Sequence, residues 1–343
     1  MSFDYGCSED EKKMRFYREM ANHGHVASMK KLAYILRYEK KSPQNLNESF
    51  KWYLKAASLD DPESILAVGD MLRDGHITEQ NPVRAIEYYK KVANNCHADK
   101  VDRKAAACRL AYTYENFLED GKNAIKWLKK SFRLGNTDAR LKIAEIYRDG
   151  KGIKADGEKA IEWFTKILDD QSLSNFDRYF PALEIAKMFR KGISVPRSDE
   201  KSIKYLKLAA NAGIPIARIA FDELVKIYCT SEEITPNIEM AIYWLKNAAG
   251  VGSRKAVFTI AKILHDGQFD FNQNEEKLLE FLEVTANNLD TMSKVSAMRI
   301  IAEIYGKGEA VPQNKEKSEK LSIEASYIME RWTYALNNLQ SLA

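Results

Sequence analysis

The chain has 343 residues, 45% of them apolar and 30% charged, with only 16 Gly and 8 Pro. That composition excludes wholesale disorder, a collagen-like fibre and an all-β fold built on many tight turns, and it leaves helices as the filling. The net charge of +4 is too mild to imply nucleic acid or an anionic membrane as partner.

The first nine residues read as a polar tail. Asp4, Glu9, Asp10 and Glu11 stand where a secretory leader would carry basic and then apolar residues. No run reaches the ~18 apolar residues of a membrane span, so a cytoplasmic location is the expectation. Cys7, Cys96, Cys108 and Cys229 are irregularly spaced and read as reduced, mostly packed thiols. A bridge between Cys96 and Cys108 stays open as the minor alternative.

From Lys13 onward one pattern recurs. KMRFYREMA, SFKWYLKAA, AIEYYKKVA, AIKWLKKSF, AIEWFTKIL, SIKYLKLAA, AIYWLKNAA and LLEFLEVTA place an aromatic at Phe16, Trp52, Tyr88, Trp127, Trp163, Tyr205, Trp244 and Phe281. Between them lies a second segment with helical i, i+3, i+4, i+7 spacing that ends in Gly75, Gly150, Gly192, Gly267 or Gly308. Each Gly stands where a left-handed helix C-cap is wanted. Helix N-cap candidates follow at Asn81, Asp156, Asp199, Asn237, Asn274 and Asn314. Each unit is therefore helix A, a Gly-bearing loop and helix B. Such a pair cannot bury its apolar face alone, and stacked pairs can.

The expectation is an all-α, right-handed α-solenoid of about eight to nine helix-turn-helix repeats, each about 36–42 residues long. Residues 1–9 are the tail and 10–343 a single solenoid, with 10–45 an atypical first repeat, 46–314 regular repeats and 315–343 a C-terminal capping helix that Trp332 helps to seat. Trp52, Trp127, Trp163 and Trp244 share one repeat position and read as packing anchors.

Chemistry is sparse. The five histidines lack metal-ligand spacing, and His23-Gly-His25 reads as a loop pair. GxSxG, Walker A and dinucleotide GxGxxG motifs are missing. No catalytic role, cofactor or metal is expected. What a solenoid offers is a concave surface lined by the A helices. In IAEIYR, Ile143, Ala144 and Tyr147 are taken as core, so positions two before and one after Tyr147 point outward into the groove. Through the chain these are Tyr34 and Arg37, Asp70 and Arg73, Tyr112 and Glu115, and Glu145 and Arg148. Later units supply Lys187 and Arg190, Lys226 and Cys229, Lys262 and His265, and Glu303 and Gly306. The row is basic in its middle and later parts, with tyrosines earlier. It suits a protein or peptide partner with an acidic or phosphorylated segment. The bland alternative is a set of solvated faces whose Arg and Lys complement helix dipoles. Charge reversal at Lys187 and Arg190 is expected to weaken binding and spare the fold. Oligomeric state is not legible.

IAEIYRDGKGIKADGEKAIEWF and VGDMLRDG with SFKWYLKAA resemble the motif of the Sel-one-like repeat (SLR) family, relatives of the tetratricopeptide solenoids. The resemblance implies a non-enzymatic adaptor or scaffold in signalling or protein-quality-control assemblies. It leaves as alternatives a bacterial effector or immunity-type inhibitor, and a β-lactam-binding or hydrolysing member. The branch linked to β-lactams is cysteine-rich and secreted, and this chain lacks a Cys pair in each repeat.

Overall fold

The computed structural model describes the backbone of residues 9–40, 42–75, 79–235, 237–251, 253–266, 275–287, 290–308 and 311–340. Within these, the side chains of 9–11, 229–230, 238, 261–266, 275–278, 281, 285 and 335–340 are outside the description. Cys7, Gly267 and Asn274, and the side chains of Cys229, Lys262, His265 and Phe281, therefore lie outside the described residues.

Contacts divide the chain into two compact units, residues 1–166 and 167–343. The first contains α1 (Glu9–Asn22), α2 (Val26–Tyr34), α3 (Pro43–Ala57), α4 (Pro62–Asp74), α5 (Pro82–Asn94), α6 (Lys100–Asn116), α7 (Gly121–Arg133), α8 (Ala139–Asp149) and most of α9 (Gly157–Leu168). The second contains α10 (Asn175–Lys191), α11 (Asp199–Ala209), α12 (Ile214–Thr230), α13 (Ile238–Gly250), α14 (Arg254–Asp266), α15 (Glu275–Ala286), α16 (Thr291–Lys307) and α17 (Lys315–Gln340). Each helix packs on its chain neighbours, from α1 to α8 and from α10 to α17. The even-numbered helices from α2 are the A helices and the odd-numbered ones from α3 the B helices.

Local chemistry sets the boundaries. Gly75, Gly150, Gly192 and Gly308 end their helices in the left-handed region. Asn81, Asp156, Asn237 and Asn314 each accept a bond from the backbone N–H three residues on, as N-caps do. Asp199 departs from that expectation. Ser198 caps α11, accepting from the Lys201 N–H at 3.3 Å, and Asp199 is the first helical residue.

Helices A and B approach through small residues. Ser49, Ala85, Ala124, Ala160, Ser202 and Ala241 lie in the N-terminal halves of the B helices and are all buried. Where the residue is Ser, its hydroxyl donates to a helix A carbonyl 16 residues earlier: Ser49 to Ala33 at 2.7 Å, Ser202 to Ala186 at 3.0 Å, Ser318 to Ala302 at 2.7 Å. The two polar groups are thus satisfied inside the contact.

The repeat aromatics divide. Trp127, Trp163 and Trp244 are buried and Trp52 half-buried, but Phe16 is exposed. The residue after each aromatic lies deep in every regular copy: Tyr53, Tyr89, Leu128, Phe164, Leu206 and Leu245. In helix A, Ile143 and Ala144 are buried as expected. Ile146 completes that face and Tyr147 is only half-buried.

Close loop packing yields one prediction. Gly152 has φ +66, and a Cβ there would run into the Glu119 carbonyl and the Gly121 nitrogen. Gly152→Ala is expected to cost on the order of 3 kcal/mol from clash and backbone strain together. Gly250→Ala, with open space around the new methyl, is the control and should leave Tm nearly unchanged. Equal melting of the two variants would refute the contact.

α17 packs on α16 through Leu321, Ala325, Ile328 and Met329, while Trp332 is 36% exposed. Where α5 buries Ile86, Tyr89 and Ala93, α17 carries exposed Glu319, Ser322 and Ser326 at the same register. A polar face replacing an apolar one is the composition of an end cap.

Candidate partner-binding face

In the first unit the A-helix positions form a tyrosine and arginine surface. Tyr34 is 47% exposed and its ring lies 4.8 Å from that of Tyr38. Arg37 does not join this surface. α2 runs on as a π-helical turn, Ile35–Glu39, whose extra residue per turn re-aims the side chains. Arg37 is consequently buried, with its guanidinium over the Tyr38 ring at 5.0 Å.

The next two A helices do bring predicted residues together. Asp70 receives the Tyr89 hydroxyl at 2.8 Å, Arg109 Nε at 3.0 Å and Arg73 at 3.3 Å. Arg73 also donates to Asp74 at 2.7 Å and lies over the half-exposed Tyr112 ring at 5.2 Å. Tyr53 and Tyr89 hold the same repeat position. Burial raises both hydroxyls well above the ordinary tyrosine range, so Tyr89 donates to Asp70 as a neutral phenol. Arg109 and Tyr89 were missed in sequence. The signal for Tyr89 was a tyrosine directly after the repeat aromatic, in Trp52-Tyr53 and Tyr88-Tyr89, where later copies have Leu or Phe.

Further along this unit, Glu115 pairs with Lys151 at 3.1 Å, Glu145 with Lys142 at 2.7 Å and Arg148 with Asp149 at 2.7 Å. These predicted positions are each neutralised locally.

In the second unit, Lys187 and Arg190 line a cleft of about 140 Å³ between α10, α11 and α12. Leu183, Ala186, Ser202 and Leu206 form its floor, and Lys191, Ile219 and Glu223 complete its rim. Leu183 and Leu206 are buried while Ile219 is 47% exposed. Lys187 pairs with Glu184 at 2.7 Å, and Lys226 pairs with Glu223. Both lysines are about half exposed, so these pairs are worth less than ~1 kcal/mol and open at little cost. Lys191 has no ion pair among the described residues. Asp222 is also raised, chiefly by burial, with Lys255, Lys226 and Arg218 facing it.

Arg190 has a different task. Its guanidinium holds both oxygens of Asp199 at 2.7 Å, and the Asp199 side chain is fully buried. Ser231 donates to the same carboxylate at 2.6 Å, and Arg197 lies 3.6 Å away. Burial alone would raise the Asp199 carboxyl. The Ser231 and Arg190 bonds outweigh it and hold the group below the usual carboxylate range. Reversing charge at Arg190 would face a buried carboxylate with another, so the expectation that such a change spares the fold is corrected. Glu303 and Gly306 lie on α16, with Gly306 accepting a bond from Gln313 at 2.7 Å.

Cys96 is an exposed free thiol, not a packed one, and Cys108 is free and contacts the Ser131 hydroxyl at 3.0 Å. Among the described residues no group of three or more His, Cys, Asp or Glu could hold a metal ion. No described helix is long and apolar enough to cross a membrane.

Comparison with known proteins adds the following. The family model described as Sel1 repeat matches seven segments: 26–61, 62–95, 104–136, 137–169, 182–214, 220–253 and 295–327. The matches cover seven of the eight A–B helix pairs described from α2–α3 to α16–α17, and α1 and the pair α14–α15 fall outside them. The chitin synthase regulator SKT5 of Saccharomyces cerevisiae is 24% identical over 192 residues, 54% of this chain and 26% of that protein. The chain thus spans about a quarter of that relative's length. A crystal structure of a Sel1 repeat protein from Oxalobacter formigenes superposes with a TM-score of 0.51 at 18% identity, covering 94% of this chain and 90% of the other. The protective antigen c5321 of uropathogenic Escherichia coli, with an SLR fold, gives 0.45 at 17% identity over 91% and 71%. The Oxalobacter likeness establishes the fold alone.

Proposed function

The chain belongs to the Sel1 repeat family, and from that premise we propose that it is a non-enzymatic scaffold holding an acidic segment of a partner protein on the A-helix face. Sel1 repeat proteins generally bind proteins. The observation that carries the reading is the cleft over Leu206. It has an apolar floor, an exposed aliphatic wall at Ile219, and Lys187 and Lys191 on its rim.

A cleft of that volume takes one aliphatic side chain. Carboxylates beside that residue would meet Lys187 and Lys191, and a phosphate would serve the same cations with more charge. Taken by itself, the first unit also carries half-exposed aromatics, Tyr34 and Tyr112, the residue type favoured at interface hot spots. A regulator among the relatives accords with a chain that acts by binding.

The test is a random-peptide display selection on the whole protein. The comparison is the variant Lys187→Glu/Lys191→Glu/Ile219→Asp, with Arg190 left in place to hold Asp199. Selected peptides are expected to share an aliphatic residue flanked by Asp or Glu and to bind the variant at least roughly tenfold more weakly. Neutral or basic peptides, or peptides held equally by both proteins, would overturn the reading.

A further inference from the structure

The outer face of α17 has the wrong polarity for a solvated helix. Five residues beyond the small residue in the N-terminal half of each B helix, four regular copies place Lys90, Lys129, Lys207 and Lys246. Nine residues beyond it, the copies that start at Ala85, Ala124, Ala160 and Ser202 place Asn94, Arg133, Asp169 and Asn211. Counting from Ser318, α17 places Ile323 and Tyr327 at these two positions, and Tyr334 continues the stripe. Their exposures are 70%, 57% and 71%. The stripe is diametrically opposite the Leu321, Ala325, Ile328 and Met329 face that packs on α16. Glu316, Lys320, Ile323, Tyr327, Glu330 and Tyr334 alternate at steps of four and three residues, the spacing of a two-helix seam.

We propose that this seam is a self-association surface, and that its occupant is α17 of a second copy of the chain, packed antiparallel about a two-fold axis at the helix midpoint. The midpoint of Lys315–Gln340 falls between Tyr327 and Ile328. An axis there overlaps the two helices over their full length, about 39 Å at 1.5 Å per residue. It also sets Tyr327 beside Tyr327 of the second copy. Lys320 meets the ring of Tyr334, and Glu324 meets Arg331, each twice by symmetry.

Lys320, Glu324 and Arg331 have no ion pair within the chain among the described residues, and all three are exposed. A parallel pair in register would instead oppose Lys320 with Lys320, Glu330 with Glu330 and Glu319 with Glu324. The charge order therefore selects the antiparallel arrangement. One helix seam is at the small end of specific interfaces, so the dimer forms at micromolar concentrations.

Sedimentation velocity of the full chain between about 1 and 100 µM tests this. The expected result is a concentration-dependent monomer–dimer shift that Ile323→Glu with Tyr327→Glu abolishes. Both residues are exposed, so helicity and Tm should be unchanged. Glu324→Arg alone should weaken the dimer roughly tenfold or more, and adding Arg331→Glu should restore it. A monomer at every concentration, a dimer indifferent to the Ile323 and Tyr327 changes, or a charge swap without recovery would each overturn the proposal. None of these positions touches the Leu206 cleft, so this test and the peptide selection fail independently.

Discussion

Arg190→Ala is expected to lower stability by about 3 kcal/mol at neutral pH, although residue 190 lies on the rim of a surface cleft. The reason is the partner. The Asp199 side chain is fully buried, and Arg190 supplies two of its bonds, both at 2.7 Å. Removing one member of a buried pair strands the other charge, at about 3–5 kcal/mol. The lower end applies because the Ser231 bond at 2.6 Å and Arg197 at 3.6 Å remain.

The pH dependence follows from the depressed Asp199 carboxyl. Its unfolded value is about 3.9 and its folded value lies lower. The stabilisation is therefore fully present above about pH 4 and is lost as the pH falls through the folded value. The gap between wild type and variant should narrow below about pH 4, since a protonated Asp199 no longer needs the guanidinium. Chemical denaturation across the acid range checks this. A variant that melts with wild type, or a gap that widens in acid, would contradict the role given to Arg190.

Trp163→Ala is expected to cost about 3–5 kcal/mol. Trp163 is 8% exposed, meets Phe132 edge-on at a ring distance of 6.3 Å, and carries Lys166 over its face at 4.1 Å. Truncation removes that packing and leaves a cavity. Trp332→Ala is the matched control. At 36% exposure Trp332 buries less of its ring than Trp163, so its loss should cost less than that of Trp163. Similar melting of the two variants would refute the placement of the repeat aromatic against the core.

Helix pairing, Gly caps and Asn caps were legible in the sequence because each depends on residues within one turn of it. The deeper anchor was less so. Trp127 stands out as a residue type, yet the neighbour that reaches furthest inward, as Phe164 and Tyr89 do, is fixed by the wheel position relative to helix A. Ser198 and Asp199 are both good N-caps, and tertiary structure decides between them: Arg190 and Ser231 capture Asp199, which leaves Ser198 to cap. Arg37 was lost to a π-helical turn that no residue between Ile35 and Glu39 announces. The basic row is a matter of residue type and spacing, which the sequence displays directly. Lys187, Arg148 and Lys226 are nevertheless paired with carboxylates one or three residues away, a detail set by rotamers that spacing alone does not resolve.

The most direct measurement of the central claim is the salt-dependent affinity of a selected acidic peptide, by fluorescence anisotropy, for the wild type and for the Lys187→Glu/Lys191→Glu/Ile219→Asp variant. The account predicts tighter binding by the wild type, with a difference of roughly tenfold or more that shrinks as salt screens the lysines. Equal affinity at every salt concentration would contradict it and remove the Leu206 cleft from the binding face.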